Sequence, residues 1–271
     1  MTAAPPGQER QLALLALIRR VNPDAQLRAV RPLAGGTSAA VLLLDFPAEG
    51  REQSLVCRQP ADTAFECQVM ARLAARGMPV PVPLMLEPAS TREGPAGMLL
   101  PLVPGQEHVP SEAVGLAMRR AACVLALIHA ADWRHPDLAL LPESWPLGRG
   151  GAPDAVLLHG DCWPGNWLWS DGQLPWVLDW EDAHVRDRRE DLANTRLEVW
   201  IRFGAAAAAP FTDAYLAAAL LPQLSGLAAY DTWAAPRGRA RVPRWTADPG
   251  ERERLAAAVS EFAAWASSPG R

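Results

Sequence analysis

Lysine is absent from this 271-residue chain, and all 26 of its basic residues are Arg. Chemistry that runs through a lysine Schiff base, or through the lysine of a P-loop, is therefore excluded. Long apolar runs are missing too; none approaches the ~18 residues that cross a bilayer. Clustered positive charge is scarce, with 30 acidic residues giving a net charge of −4 and a pI near 5.8. General binding to nucleic acid or to an anionic membrane, which rests on such clusters, is not expected. The four cysteines (Cys57, Cys67, Cys123, Cys162) form no C-x-x-C pair and no metal spacing. They read as free thiols of a cytoplasmic protein. Leu12–Ile18 is apolar, but Glu9 and Arg10 precede it, Arg19 and Arg20 follow, and no cleavage site does, so an amphipathic helix is expected instead of a signal peptide. Apolar residues are plentiful at 49%, enough to bury a sizeable core as one large domain or two lobes.

The pattern changes along the chain. A helix is predicted over Gln8–Val21, stopped before Pro23. Short apolar runs between Gly and Pro then read as strands: Leu27–Leu33, Ala39–Asp45, Ser54–Arg58, Val82–Leu86 and Met98–Val103. Pro47–Gly50 is expected to link the second and third, and Pro83 places the fourth at an edge. Thr63–Arg76 reads as a helix inserted in this antiparallel unit, with Phe65, Val69, Met70 and Leu73 on one face and Gly77 as its stop. After Pro104-Gly105 helices dominate: Ser111–Ala131 with Ser111 as N-cap, Arg188–Phe203, Phe211–Leu221 and Gly250–Ala264. Between them, Val156–Trp180 returns to short strands. Arg237, Arg239, Arg241 and Arg244 form the one basic run and read as a solvated loop. The division expected is a β-rich lobe over 1–103 and a larger helical lobe over 104–271.

The densest chemistry is His159-Gly160-Asp161-Cys162-Trp163-Pro164-Gly165-Asn166, followed by Val177-Leu178-Asp179-Trp180. Asp161 follows a strand-like run, at an exposed strand end. Pro164-Gly165 turns the chain so that Asn166 points back to the same place, and Asp179 arrives at the end of the next strand. Two carboxylates and an amide oxygen converge, all hard oxygen ligands suited to Mg²⁺. With one carboxylate and the amide on the metal, the other carboxylate is left to receive a proton. His159 reads as a structural residue that hydrogen-bonds backbone. Trp163, Trp167, Trp169, Trp176 and Trp180 read as packing, with Trp163 and Trp180 the two that could line an acceptor pocket.

The order D-x-x-x-x-N followed by a strand-borne Asp is that of protein-kinase-like phosphotransferases. Its wording here, H-G-D-x-W-P-G-N-x-L-W and L-D-W, resembles the aminoglycoside phosphotransferase and choline kinase-like family. The resemblance covers roughly residues 29–203 and implies an α+β, two-lobed protein-kinase-like fold, with a small antiparallel N-lobe and a larger helical C-lobe. It also implies a small-molecule kinase that moves the γ-phosphate of ATP or GTP to a hydroxyl of a small acceptor. Asp161 would be the catalytic base, and Asn166 and Asp179 the Mg²⁺ ligands. Leu33–Ser38 resembles the family's nucleotide loop, so Gly36, Thr37 and Ser38 would cover the phosphates. Arg58 falls where the third strand carries a phosphate-binding cation, and Glu66 resembles the helix residue that pairs with it. Leu100–Gly105 resembles the hinge, with the Pro101 carbonyl and the Val103 N–H as adenine contacts. Asp191, in Asp191-Leu192-Ala193, resembles the family's structural aspartate.

Three departures stand out. The strand cation is Arg, whose planar fork suits phosphate with a different geometry from lysine. The interval from Arg58 to Glu66 is only eight positions, and the hinge lacks an acidic residue. The missing lysine invites an alternative, a nucleotide-binding pseudoenzyme or regulatory module without turnover; the intact Asp161, Asn166 and Asp179 argue against it. A metallophosphoesterase needs several His and Asp ligands at separate turns, and five scattered His residues do not supply them. For the acceptor, Glu181, Asp182, Asp187, Glu190 and Glu198 place acids downstream of Asp179 and would suit a cation.

Overall fold

The structure, a computed structural model, describes residues 7–33, 40–48, 50–59, 64–87, 97–107, 109, 114–139, 141, 155–171 and 173–268. The expected nucleotide loop, with Gly36, Thr37 and Ser38, lies outside the described residues, as does the expected cap Ser111. The chain divides into two compact units, Met1–Pro104 and Gly105–Arg271.

In the first unit, the alternation of apolar residues builds one sheet. Its strands are β1 (Ala29–Pro32), β2 (Ala40–Ala48), β3 (Arg51–Gln59), β4 (Met85–Glu87) and β5 (Gly97–Pro101), in the order β1-β2-β3-β5-β4 and paired antiparallel throughout. Two helices accompany it, α1 (Gln8–Arg19) and α2 (Ala64–Ala74). Successive side chains on a strand point to opposite faces. Leu42, Leu44 and Phe46 of β2 and Leu55 and Cys57 of β3 share one face and form a core with Leu14, Leu17 and Ile18 of α1. The alternate residues Val56 and Arg58 stand on the other face, where Arg58 pairs in register with Val41. Two expectations need correcting. The link between β2 and β3 is not Pro47–Gly50: pairing runs through Pro47↔Glu52 and Ala48↔Arg51, and Gly50 stands just ahead of β3 at φ +74°. The edge strand β4 begins at Met85 instead of Val82, past Pro83, which has no N–H to give a ladder.

The second unit is mainly helical. Its elements are α3 (Val114–His129), β6 (Ala155–Leu158), β7 (Trp167–Ser170), β8 (Gln173–Val177), β9 (His184–Asp187), α4 (Arg188–Phe203), α5 (Ala205–Ala218), α6 (Leu227–Trp245) and α7 (Pro249–Ala266). β6 pairs with β9 and β7 with β8, both antiparallel. Helix α4 is the buried centre, with α5, α6 and α7 packed on it and α3 on α5. Asp187 caps it by accepting from the Arg189 N–H at 3.0 Å, and Gly204 at φ +79° ends it. The basic run is not a loop: Arg237, Arg239, Arg241 and Arg244 all belong to α6. Helix α5 starts six residues ahead of the expected Phe211, because the Ala205–Ala209 run is itself helical. Among the described residues no helix is long and apolar enough to cross a membrane, and the four cysteines are free.

Candidate active site

The loop between β6 and β7 is shaped by a buried carboxylate behind it. Asp191 of α4 accepts from the His159 N–H at 2.7 Å and the Gly160 N–H at 3.0 Å, and its Oδ2 lies 3.3 Å from His129 Nε2 on α3. His129 Nδ1 in turn meets the Tyr215 hydroxyl of α5 at 2.7 Å. One side chain thus ties the loop to three helices. Burial works to raise the Asp191 pKa, but hydrogen bonds from His129 and from the backbone outweigh it, and the carboxyl lies below its ordinary value. Burial lowers both His129 and His159, which are held neutral. Gly160 is required here: at φ +87° it passes so close to Asp182 that a Cβ would collide with the Asp182 backbone.

On this frame the three sequence-selected residues come together. The His159 ring donates through Nε2 to the Leu178 carbonyl at 2.9 Å and accepts the Asp161 N–H at Nδ1. After Trp163 the chain makes a short 3₁₀ turn, Pro164–Asn166, which brings Asn166 back to Asp161. The Asn166 amide donates to the Asp161 carbonyl at 2.9 Å and reaches its Oδ2 at 3.4 Å. The Leu178 N–H donates to the Asn166 carbonyl at 2.9 Å, which anchors Asp179 beside it. Asp179 adopts φ +66°, a conformation that costs a non-glycine residue and clusters at functional sites.

Asp161 retains 36% side-chain exposure, yet the protein packed around it pushes its pKa up to about 6. Burial is the main cause; Arg241 opposes it, and Glu198, Asp179 and Asp182 reinforce it. The result is a carboxyl more basic than an ordinary Asp.

The residues present fit a divalent ion of the Mg²⁺ class. With its nitrogen committed to Asp161, Asn166 has its oxygen as the remaining ligand atom, and Asp179 adds a carboxylate. Among the described residues no group of three or more His, Cys, Asp or Glu could hold a metal.

In the first unit, Arg58 and Glu66 meet: Arg58 Nη1 lies 3.1 Å from Glu66 Oε1, with side-chain exposures of 10% and 2%. Glu66 is no solvated helix residue. Pro101 ends β5 in register with Leu55, and Val103 is half-buried just beyond it.

Comparison with known families and structures now adds to the geometry. The phosphotransferase enzyme family matches the chain over residues 29–139 and 133–239. The chain belongs to that family. No curated protein sequence matches it. Among solved structures, a putative aminoglycoside phosphotransferase from Ralstonia eutropha JMP134 is 18% identical, with a TM-score of 0.71 over 94% of this chain and 96% of that one. The macrolide 2′-phosphotransferase MphH from Brachybacterium faecium is 25% identical, with a TM-score of 0.61 over 91% and 97%. A choline kinase from Cryptosporidium parvum Iowa II, 10% identical, reaches 0.67 over 93% and 94%. The fold is protein-kinase-like, and the chain is a phosphotransferase with an alcohol group as acceptor.

Three of the five acids expected to suit a cation are paired with arginines. Asp187 pairs with Arg189, Glu190 with Arg186 at 2.7 Å and Glu198 with Arg202, so these acids do not add up to an anionic patch. Two of the three pairs are spaced i,i+4, a signal present in the sequence. Trp180 is fully buried against His159, with ring centroids 4.5 Å apart. Trp163 lies against Gly165 and under the Arg202 guanidinium at 4.3 Å. Trp180 therefore offers no open face for stacking, whereas Trp163 is half-buried. Sequence reasoning missed Arg241, whose Nη1 lies 3.8 Å from Asp161 Oδ1; no local pattern could have found a contact made across eighty residues.

The buried histidines lead to a stability prediction. A histidine kept neutral in the folded state binds its proton less readily there than when unfolded, near pH 6.5. The unfolded state then holds more protons, so stability falls as the pH drops below about 6.5. Thermal melts between pH 7.5 and pH 5.5 should show a different pH dependence in His129→Gln, with less stability lost on acidification than in wild type; the opposing contribution of carboxyls raised by burial, Asp161 among them, is common to both proteins. An identical pH dependence in the two proteins would contradict the burial of His129 as a neutral group.

Proposed function

We propose that this phosphotransferase is a small-molecule kinase in which Asp161 orients and deprotonates the acceptor hydroxyl. The observation that carries the reading is the Asp161–Asn166 contact, with Asp179 anchored next to it through Leu178. Asn166 and Asp179 are the ligands for Mg²⁺, which when bound neutralises charge on the nucleotide phosphates. Arg58, held by Glu66, is the fixed cation assigned to nucleotide phosphate. Gly36, Thr37 and Ser38 are also assigned to the phosphates, and the Pro101 carbonyl and Val103 N–H to the adenine. The first unit is thus the nucleotide-binding lobe, and the second carries the catalytic loop and the acceptor pocket. The co-substrate is ATP or GTP; a structure of the same fold, 16% identical with a TM-score of 0.66, was solved with AMP-PNP and hygromycin B, and another holds GDP and kanamycin.

A nucleotide-consumption assay run across hydroxylated acceptors, with and without Mg²⁺, tests this. Turnover is expected only with the metal. Metal-dependent nucleotide binding without turnover on any alcohol would return the chain to the regulatory-module reading. Asp179→Ala should lose Mg²⁺-dependent nucleotide affinity by calorimetry, and an unchanged affinity removes Asp179 from the metal site. Arg58→Ala should lose charge-assisted contacts worth roughly 1.5–3 kcal/mol, about ten- to hundredfold in nucleotide affinity or rate. Arg58→Lys should recover only part, because a point charge replaces a planar fork. Wild-type behaviour in Arg58→Ala would mean that another arginine supplies the charge.

A further inference from the structure

The arginines around the catalytic loop are mostly occupied. Arg186, Arg189, Arg196 and Arg202 each pair with an acid. On α6, Arg237 lies over the Trp233 ring at 4.3 Å and Arg239 donates to Ser260 at 2.8 Å. Arg241 differs. Among the described residues its guanidinium forms no hydrogen bond, and its one ion pair, to Asp161, is 3.8 Å long. That exceeds hydrogen-bond reach, so the donor fork is not consumed. The side chain is 39% exposed, so a ligand can approach it.

Its placement is rigid. Helix α6 docks on α4 so closely at Gly238 that a Cβ there would meet the Leu197 side chain at 2.5 Å. The buried ion pair Arg196–Asp231, at 3.2 Å, joins the same two helices about two turns earlier on α6. An open five-donor fork is therefore mounted beside the group that meets the acceptor hydroxyl.

We propose that Arg241 is a specificity-determining residue that binds a carboxylate on the acceptor, so that the substrate class is a hydroxy acid. The inference rests on Asp161 as the base and deepens that reading. A guanidinium fork matches a carboxylate with two parallel hydrogen bonds. An ammonium group brought to the same place would meet a like charge. Three of the five acids that would otherwise attract a cation, Asp187, Glu190 and Glu198, are already paired.

The test uses acceptors that share a primary hydroxyl and differ in one group: 3-hydroxypropanoate, 1,3-propanediol and 3-aminopropan-1-ol, with glycerate, glycerol and 3-aminopropane-1,2-diol as a second set. In the wild-type enzyme kcat/KM should favour the carboxylate member by about tenfold or more, the ratio one charge-assisted hydrogen bond is worth. Arg241→Gln should erase that ratio, and Arg241→Lys should restore part of it. Because the readout is a ratio within one variant, a general loss of activity does not imitate it. Preference for the neutral or amine member, a carboxylate preference that survives Arg241→Gln, or turnover of no member overturns the proposal. The kinase reading fails separately, when Asp161→Asn leaves turnover of a working acceptor untouched.

Discussion

Asp161→Ala abolishes phosphoryl transfer while nucleotide still binds. The expected loss in kcat is about 10²–10⁴-fold, the range contributed by a positioned general base. The loop that presents Asp161 is held by Asp191 through the His159 and Gly160 N–H groups, not by the Asp161 carboxylate, so the substitution leaves the loop in place. Asp161→Asn is the sharper variant: it keeps the shape and one oxygen for Asn166, but cannot take a proton. Initial rates with a working acceptor give the loss, and calorimetry gives nucleotide affinity. Retention of more than about a tenth of wild-type turnover rules Asp161 out as the base.

Asp191→Ala should be the most damaging substitution for stability. The carboxylate is fully buried, and its removal leaves two backbone N–H groups and a histidine without their acceptor. Breaking a buried charged partnership costs about 3–5 kcal/mol. For a chain of this size that lowers the thermal midpoint by about 10 °C. Asp191→Asn should fall in between, since its one carbonyl oxygen cannot serve both N–H groups as well as two carboxylate oxygens do. A melt of Asp191→Ala within about 2 °C of wild type would show that other contacts hold the loop. His159 backbone exchange, followed by hydrogen–deuterium methods, should quicken in the same variant.

The sheet was legible because its strands are short apolar runs broken by Gly and Pro, and α4 because Asp187 and Gly204 bracket a periodic segment. The convergence of Asp161, Asn166 and Asp179 was legible for a local reason: a turn at Pro164-Gly165 and two short strands fix the path between them. Helix α6 was not. Pro236, Gly238 and Pro243 are helix breakers by propensity, and four arginines read as a solvated surface. Packing decides otherwise, since Gly238 is what lets α6 press against Leu197. The first turns of α5 were hidden because an alanine run has high helix propensity but no apolar face to reveal it. The acids on α4 were misjudged by counting charges without their i,i+4 partners. Arg241 lay out of reach for a different reason: its meaning depends on where α6 docks, and docking is a property of the tertiary fold.

The pairing of Arg58 with Glu66 also sets how this enzyme can be interrogated chemically. A guanidinium keeps its proton at any pH at which the fold persists. The strand cation therefore cannot contribute an alkaline limb to the rate profile, and such a limb would have to come from another group. It is also not an amine. Acylating reagents that block nucleotide sites by modifying a lysine have no side-chain target anywhere in this sequence, so resistance to them carries no information about occupancy of the site. Reagents directed at vicinal guanidinium nitrogens, such as dicarbonyls, are the ones to use, and protection by nucleotide that disappears in Arg58→Lys would report on Arg58 among the 26 arginines.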